Sequence, residues 1–261
     1  MVADLILSQD SGQSNDQGAT IISPAVMDRL MVPRNPELQG IGGIDEAGRG
    51  PMIGPLVVCG VSVTADTLPE LKRIGVKDSK LLTPRRRTEL ALLIRGITGQ
   101  VVVQSISAAD IDRQRAAGIT LNEIEAVAFA SILSSLRPEH VFIDSVDVNT
   151  QRFGRLVGER SGLLSLGCSI TSEHHADFKY PIVSAASIIA KVERDRQIER
   201  MRKDFGDIGS GYPSDPKTVQ FVRNLVAGGE ELPAIVRRSW MSVKRILAEE
   251  TTNSRGSLGT V

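Results

Sequence analysis

Asp45 and Glu46 are adjacent acids in the run Gly42-Gly43-Ile44-Asp45-Glu46-Ala47-Gly48-Arg49-Gly50-Pro51. The apolar residues on either side read as strand, so both carboxylates belong to a rigid element. Directly behind them comes a glycine–arginine–glycine turn, where bare backbone N–H groups and one guanidinium can approach a phosphate. Acids that repel a polyanion thus sit beside groups that hold one. A divalent cation between carboxylates and phosphate resolves that conflict, which points to metal-assisted phosphodiester chemistry. The alternative is a surface turn after an edge strand, with its acids solvated.

Two more acids fall where a sheet can gather them. Asp144 ends the short apolar strand Val141-Phe142-Ile143-Asp144, and Asp177 stands just before a long helix. Carboxylates select hard cations such as Mg²⁺ or Mn²⁺, and a pair of such ions binds both the attacking water and the leaving oxygen of a phosphodiester. Neighbours on a regular strand face opposite ways, so Asp45 and Glu46 share one site only if the strand twists or ends there; Gly48 offers such an end. Asp147 rivals Asp144 as a ligand, and helix-entry electrostatics is the other reading of Asp177. His174 and His175 are adjacent, which spaces them poorly for a tetrahedral zinc site, and are read as solvated.

The elements that must position these acids follow from pattern. Ile41 to Asp45 and the valine-rich Pro55 to Val63 read as strands, as do Val101 to Ile106, Val141 to Asp144 and Ser165 to Thr171. Thr83-Pro84 opens a helix that Gly96 closes. Thr120-Leu121-Asn122-Glu123 is a capping box, starting a helix with Ile124, Val127, Ala128 and Ile132 on one face. Arg152 to Arg160 reads as a helix, and a longer one runs from about Ile182 to Asp204, with Ile198, Met201 and Phe205 on one side. Strands followed by alternating strands and helices predict an α/β fold, a mixed sheet flanked by helices. Beyond Gly206 a glycine-rich loop leads to two helices, Pro216 to Ala227 and about Ala234 to Ala248. The expected division is a disordered arm over 1–39, a core over 40–205, a helical C-terminal region over 206–250 and a flexible tail over 251–261. Within the arm, Ala25 to Val32 has the pattern of a short helix or docking peptide.

Composition narrows the class further. The chain of 261 residues is 41% hydrophobic, enough for a sizeable core. Its 31 basic and 31 acidic residues give no global case for nucleic acid, so local clusters must make it. Lys72, Arg73, Lys77, Lys80, Arg85, Arg86 and Arg87 form one. Lys191, Arg194, Arg196, Arg200, Arg202 and Lys203 are interleaved with acids and read equally well as a salt-bridged helix face. Aromatics are only 3%, so Tyr212 and Trp240 each need a reason. Cys59 and Cys168 lie in apolar runs and suit buried free thiols in a reducing compartment. No apolar run approaches membrane-spanning length, so a cytoplasmic protein without membrane contact is expected.

Together these runs resemble ribonuclease HII, the type 2 ribonuclease H, most closely its archaeal branch. The matching segments are Gly43 to Pro51, Val76 to Thr83, Phe142-Ile143-Asp144, Ala176-Asp177, Ile182 to Val192 and Gly209-Ser210-Gly211-Tyr212-Pro213-Ser214-Asp215, in family order over roughly residues 40 to 247. The resemblance implies an RNase H-like fold and a metal-dependent endoribonuclease. That enzyme would hydrolyse the RNA strand of RNA–DNA hybrids and nick 5′ of ribonucleotides embedded in duplex DNA, leaving 3′-hydroxyl and 5′-phosphate ends. It further implies Asp45, Glu46, Asp144 and Asp177 as catalytic metal ligands for Mg²⁺ or Mn²⁺, two ions in the active complex. By the same resemblance, Gly48, Arg49 and Gly50 hold the junction between ribonucleotide and deoxyribonucleotide, Tyr212 packs on the sugar beside it, and Lys80 and Lys191 contact backbone phosphates. The bottom-up reading agrees: only a 2′-hydroxyl separates RNA from DNA at one residue, so a tight turn must approach it closely. A monomer is expected. The tail from Thr251 to Val261 has no aromatic, so sliding-clamp binding through it is not expected. A junction resolvase would share the acids without needing the turn and Tyr212 together, and a catalytically dead binding module would show Asn or Ser at an acid position.

Overall fold

The computed structural model describes residues 35–76, 82–229 and 231–256, with backbone alone for 251–256. Most of the N-terminal arm, the Ala25 to Val32 segment, Lys77 and Lys80 lie outside the described residues. Residues 35–39, expected within the disordered arm, are tied down. Leu38 is buried, Gln39 N–H donates to the Arg137 carbonyl at 2.8 Å, and Asn35 Nδ2 donates to the Leu166 carbonyl at 3.1 Å.

Five strands form one sheet: β1 Ile41–Ala47, β2 Leu56–Val63, β3 Gln100–Ile106, β4 His140–Asp144 and β5 Ser169–Glu173, in the order β3-β2-β1-β4-β5. All eight residues of β2 are buried, which its unbroken apolar character requires. The helices are α1 Leu68–Arg73, α2 Pro84–Ile97, α3 Ala108–Ala116, α4 Leu121–Leu136, α5 Thr150–Ser161, α6 Ala176–Lys179, α7 Pro181–Phe205, α8 Pro216–Ala227 and α9 Met241–Gly256. The predicted starts of α2 and α4 stand. Thr83 accepts from Arg86 N–H, while Thr120 N–H donates to Glu123 Oε2 at 2.8 Å and Glu123 N–H returns to Thr120 Oγ1 at 3.3 Å. On α4, Ile124, Ala128 and Ile132 are buried, but Val127, expected beside them, is 49% exposed. Ser165 to Cys168 is not strand: Leu164–Leu166 is a 3₁₀ turn, left through Gly167 at φ +89°, and β5 begins at Ser169.

The chain divides into two compact units, and the boundary does not fall at 205. One comprises residues up to Asp45, Val58–Val103 and Ala126–Ala190; the other comprises Glu46–Val57, Gln104–Glu125 and Lys191 onward. In the first, parallel pairing of β1 with β4 places Ile44 opposite Ile143, and β4 pairs in parallel with β5, Asp144 opposite Glu173. Gly43 is required there by space. A Cβ at that position would lie 2.5 Å from the Ile182 carbonyl carbon, so glycine lets the start of α7 press against β1.

The second unit has its own core. Met52 and Ile53 are fully buried with Ile198, Ile208, Val222, Val236, Val243 and Ile246. The C-terminal helices therefore pack around a segment of the connection between β1 and β2. Val236 forms an antiparallel bridge with Ile53 and Arg237 N–H donates to the Met52 carbonyl at 2.8 Å. That bridge and the turns on either side of it fill the stretch before Met241, where the last helix starts, seven residues after the expected Ala234. The helix then continues to Gly256, into the segment expected as a tail.

Candidate active site and recognition turn

Three of the four predicted acids converge. One carboxylate oxygen each from Asp45, Asp144 and Asp177 lies within 4.8 Å of the other two. The strand register explains two of them. Ile44 and Ile143 face each other on adjacent parallel strands, so Asp45 and Asp144 follow side by side at the carboxyl end of the sheet. Asp177 arrives from α6, a four-residue helix entered through His175 in the left-handed region at φ 56°. Ala176 N–H donates to Asp144 Oδ1 at 3.1 Å, tying the helix entry to the strand end. Tyr180, which ends α6, stacks on Phe142 with ring centroids 4.1 Å apart.

Asp45 and Asp177 are only 4% and 5% exposed, and Asp144 is half-buried. Three carboxylates this close and this dry repel one another, and a hard cation with an all-oxygen shell removes the repulsion. The residues present therefore fit a divalent ion. Glu46 lies next along β1, half-buried, and is not one of the three grouped acids; the strand continues past it to Ala47. Asp147 is drawn elsewhere, accepting from Asn149 N–H at 2.9 Å and pairing with Arg152 at 2.5 Å. His174 is exposed, its ring nitrogens 3.3 Å and 3.4 Å from the Ser145 and Val148 carbonyls, and neither histidine joins the acid group.

The glycine–arginine–glycine turn belongs to the second unit. Gly48 is buried at φ +91°, and a Cβ there would lie 2.5 Å from the Pro55 carbonyl oxygen and 2.6 Å from Arg194 Cδ. Its neighbour Gly50 is exposed, and a Cβ there would meet nothing nearer than Tyr212 Cε1 at 4.0 Å. The Arg49 guanidinium does not reach out as the sequence suggested. Its NH1 pairs with Glu125 and its NH2 donates to Asn122 Oδ1 at 2.7 Å. Glu125 has no exposed side-chain surface, and burial pushes its carboxyl up to about 7 against the opposing pull of Arg49.

Tyr212 is 37% exposed and covers Arg194, whose guanidinium carbon lies 4.9 Å from the ring centroid. Arg194, read among the basic residues of a salt-bridged helix face, is instead buried and donates to the Ser210 carbonyl at 3.2 Å. Two members of that face are salt-bridged as read: Arg196 pairs with Glu193 and Arg202 with Glu199. Lys191 is half-buried on α7. Sequence reasoning missed Arg194, Glu125, Asn122 and Arg237. A charged Glu125 among Ile124, Ala126 and Ala128 was the available signal for one, and the scarce Trp240 for another, since its ring lies 4.7 Å from the Arg237 guanidinium carbon.

Both cysteines are free and buried; burial raises both thiols, Cys168 to about 12. Among the described residues, no helix is long and apolar enough to cross a membrane.

A five-stranded mixed sheet flanked by helices, with carboxylates at the carboxyl ends of adjacent strands, defines an RNase H-like hydrolase. The ribonuclease HII family model matches residues 42–243. A ribonuclease HII from Methanothermobacter thermautotrophicus is 50% identical over 206 residues, 78% of this chain and 97% of that protein. The crystal structure of ribonuclease H2 from Pyrococcus horikoshii OT3 matches with a TM-score of 0.75 at 40% identity, covering 82% of this chain and 99% of that one. The RNase HII of a PCNA complex from Archaeoglobus fulgidus matches with a TM-score of 0.72 at 45% identity, covering 79% and 96%. The chain belongs to the ribonuclease HII family and is a metal-dependent ribonuclease H acting on RNA–DNA hybrids. Because the structure of one relative is that of a complex with PCNA, the tail-based argument against clamp binding finds no support in the comparisons.

Proposed function

We propose that this enzyme nicks duplex DNA on the 5′ side of embedded ribonucleotides, as well as cutting RNA–DNA hybrids, through a two-ion site built on Asp45, Asp144 and Asp177 with Glu46 as the fourth ligand. The observation that carries this reading is the convergence of three carboxylates, two of them almost fully buried, at the carboxyl end of the sheet. Mg²⁺ or Mn²⁺ held there would supply Lewis acidity toward water and the scissile phosphate. Asp45 and Asp144 hold position through the strand register, and Ala176 N–H keeps one Asp144 oxygen oriented. The turn contributes amide N–H groups of Arg49 and Gly50 toward the 2′-hydroxyl, and Gly50 lets a sugar approach without a Cβ between them. Tyr212 packs on the following deoxyribose, while Lys191 and Lys80 contact phosphates and so position the duplex without reading identity. Water is the nucleophile, so the products carry 3′-hydroxyl and 5′-phosphate ends.

The test is a panel of three duplexes, with one ribonucleotide, with a continuous RNA strand and with DNA alone, each with and without Mg²⁺ or Mn²⁺. Cleavage of the first two only, and only with metal, is expected. Asp144→Asn is expected to abolish cleavage while the protein folds and binds, because an amide keeps the shape and loses the charge. Substantial turnover by that variant at saturating metal would remove Asp144 from the ligand set.

A further inference from the structure

Arg237 has no solvent exposure and lies 189 residues from the turn it touches. Its Nε donates to the Gly54 carbonyl at 2.9 Å, its NH1 to the Arg49 carbonyl at 3.0 Å and its NH2 to the Gly48 carbonyl at 2.6 Å. A guanidinium is rigid and planar, so three carbonyls gripped by one such group have fixed relative directions. The grip itself is anchored, by the main-chain bond from Arg237 N–H to Met52 and by the Trp240 ring.

A trans peptide is flat, and its C=O and N–H point opposite ways. The Gly48 carbonyl shares its peptide with Arg49 N–H, and the Arg49 carbonyl shares its peptide with Gly50 N–H. Drawing both carbonyls onto one buried cation therefore aims both N–H groups away from it. Arg49 lends its own guanidinium to Glu125 and Asn122, which fixes the same turn from its side chain. Two successive N–H groups presented together make a small concave donor site for an oxygen.

We propose that Arg237 is a positioning residue for the Gly48-Arg49-Gly50 turn: it sets the direction of the Arg49 and Gly50 amides and, through them, discrimination of a 2′-hydroxyl from hydrogen. This rests on the reading of the turn proposed above. A lysine at 237 keeps the charge, but its single ammonium cannot hold three carbonyls in one plane.

The experiment measures affinity for an all-DNA duplex and for the same duplex with one ribonucleotide, in an Asp144→Asn background that prevents turnover. The ratio of the two dissociation constants reports 2′-hydroxyl reading. Arg237→Lys is expected to lower that ratio about tenfold, the effect of one well-aligned hydrogen bond. A merely structural role would weaken both duplexes together and leave the ratio unchanged in the folded fraction, and that result overturns the proposal. A ratio near one before Arg237 is altered would instead overturn the reading of the turn itself. Should the lysine variant fail to fold, Arg237→Gln, whose amide reaches fewer of the three carbonyls, is measured in the same way; the same fall in the ratio is expected, and an unchanged ratio overturns the proposal.

Discussion

The acid cluster and the glycine–arginine–glycine turn lie three residues apart on one strand exit, yet different physics holds them. Asp45 and Asp144 are placed by the register of two adjacent parallel strands, and Asp177 by a helix entry whose N–H bonds Asp144. The turn has no regular structure to inherit. Its backbone is held by Arg237, packed against Arg194 and braced by Glu125 and Asn122, all distant in sequence. Like charges crowd the first region, whereas guanidiniums buried beside a carboxylate hold the second. The oxygen donors of the first fit a divalent cation; the second is held by hydrogen bonds and ion pairs among the protein's own groups.

The largest expected effect breaks the first region. Asp45→Asn is expected to reduce cleavage by a factor on the order of a thousand or more. In metal-free buffer the same change is expected to raise the melting temperature, because it removes one of three crowded charges. Added Mg²⁺ is expected to raise the melting temperature of the unaltered protein and not that of the variant. A variant that melts lower without metal would show that Asp45 is held by neighbours that need its charge.

In the second region the signs reverse. Arg49→Ala leaves Glu125 buried without its main partner and is expected to cost about 3 kcal/mol by chemical denaturation. Arg237, which also pulls on the Glu125 carboxyl, offsets part of the loss. Adding Glu125→Gln is expected to recover most of that stability. Failure to recover it would mean that Arg49 stabilises chiefly through Asn122.

Much of the first region was legible in the sequence because its placement is local. An acid that ends an apolar strand, or precedes a long helix, announces its position, and the capping residues Thr83 and Thr120 marked their helices. Glu46 stayed ambiguous because strand alternation argued against it, and the structure leaves it outside the three grouped acids. Short α1, α3 and α6 went unread, since four to nine residues carry too little periodicity. The second region was legible only as motif. Nothing near Ile235-Val236-Arg237 says that a cation will close onto carbonyls 189 residues away, and the bridge it forms delayed α9 against the expected start. Arg194 read as part of a salt-bridged helix face because it stands among basic residues interleaved with acids, and nothing in that pattern separates it from the exposed Arg196 and Arg200.

Two glycines of the turn separate fold from recognition. Gly48→Ala places a Cβ in a left-handed backbone against Pro55 and Arg194, and is expected to cost about 3 kcal/mol of stability. Gly50→Ala meets only the Tyr212 ring edge at contact distance, so stability is expected to stay within about 0.5 kcal/mol. Its cleavage of a single embedded ribonucleotide is nonetheless expected to fall about tenfold, because the methyl would stand where the proposed reading of the turn brings the sugar. If Gly50→Ala cleaves normally, the sugar does not come within a methyl's reach of that position.

The smallest expected effect concerns Tyr212, which takes part in both tasks of the second region. Its ring covers the buried Arg194 at 4.9 Å, and it is still 37% exposed, enough to present a face outward. Removing the ring is expected to cost about 1 kcal/mol of stability through the lost cation–π contact. Tyr212→Ala is also expected to weaken cleavage at a single ribonucleotide about fivefold more than cleavage within continuous RNA, where no following deoxyribose needs a packing surface. Phenylalanine at 212 keeps the ring and is expected to retain the preference, which distinguishes packing from any role of the hydroxyl. An equal loss on both substrates would make the tyrosine a cover for Arg194 alone, and would leave reading of the junction to the amides of Arg49 and Gly50.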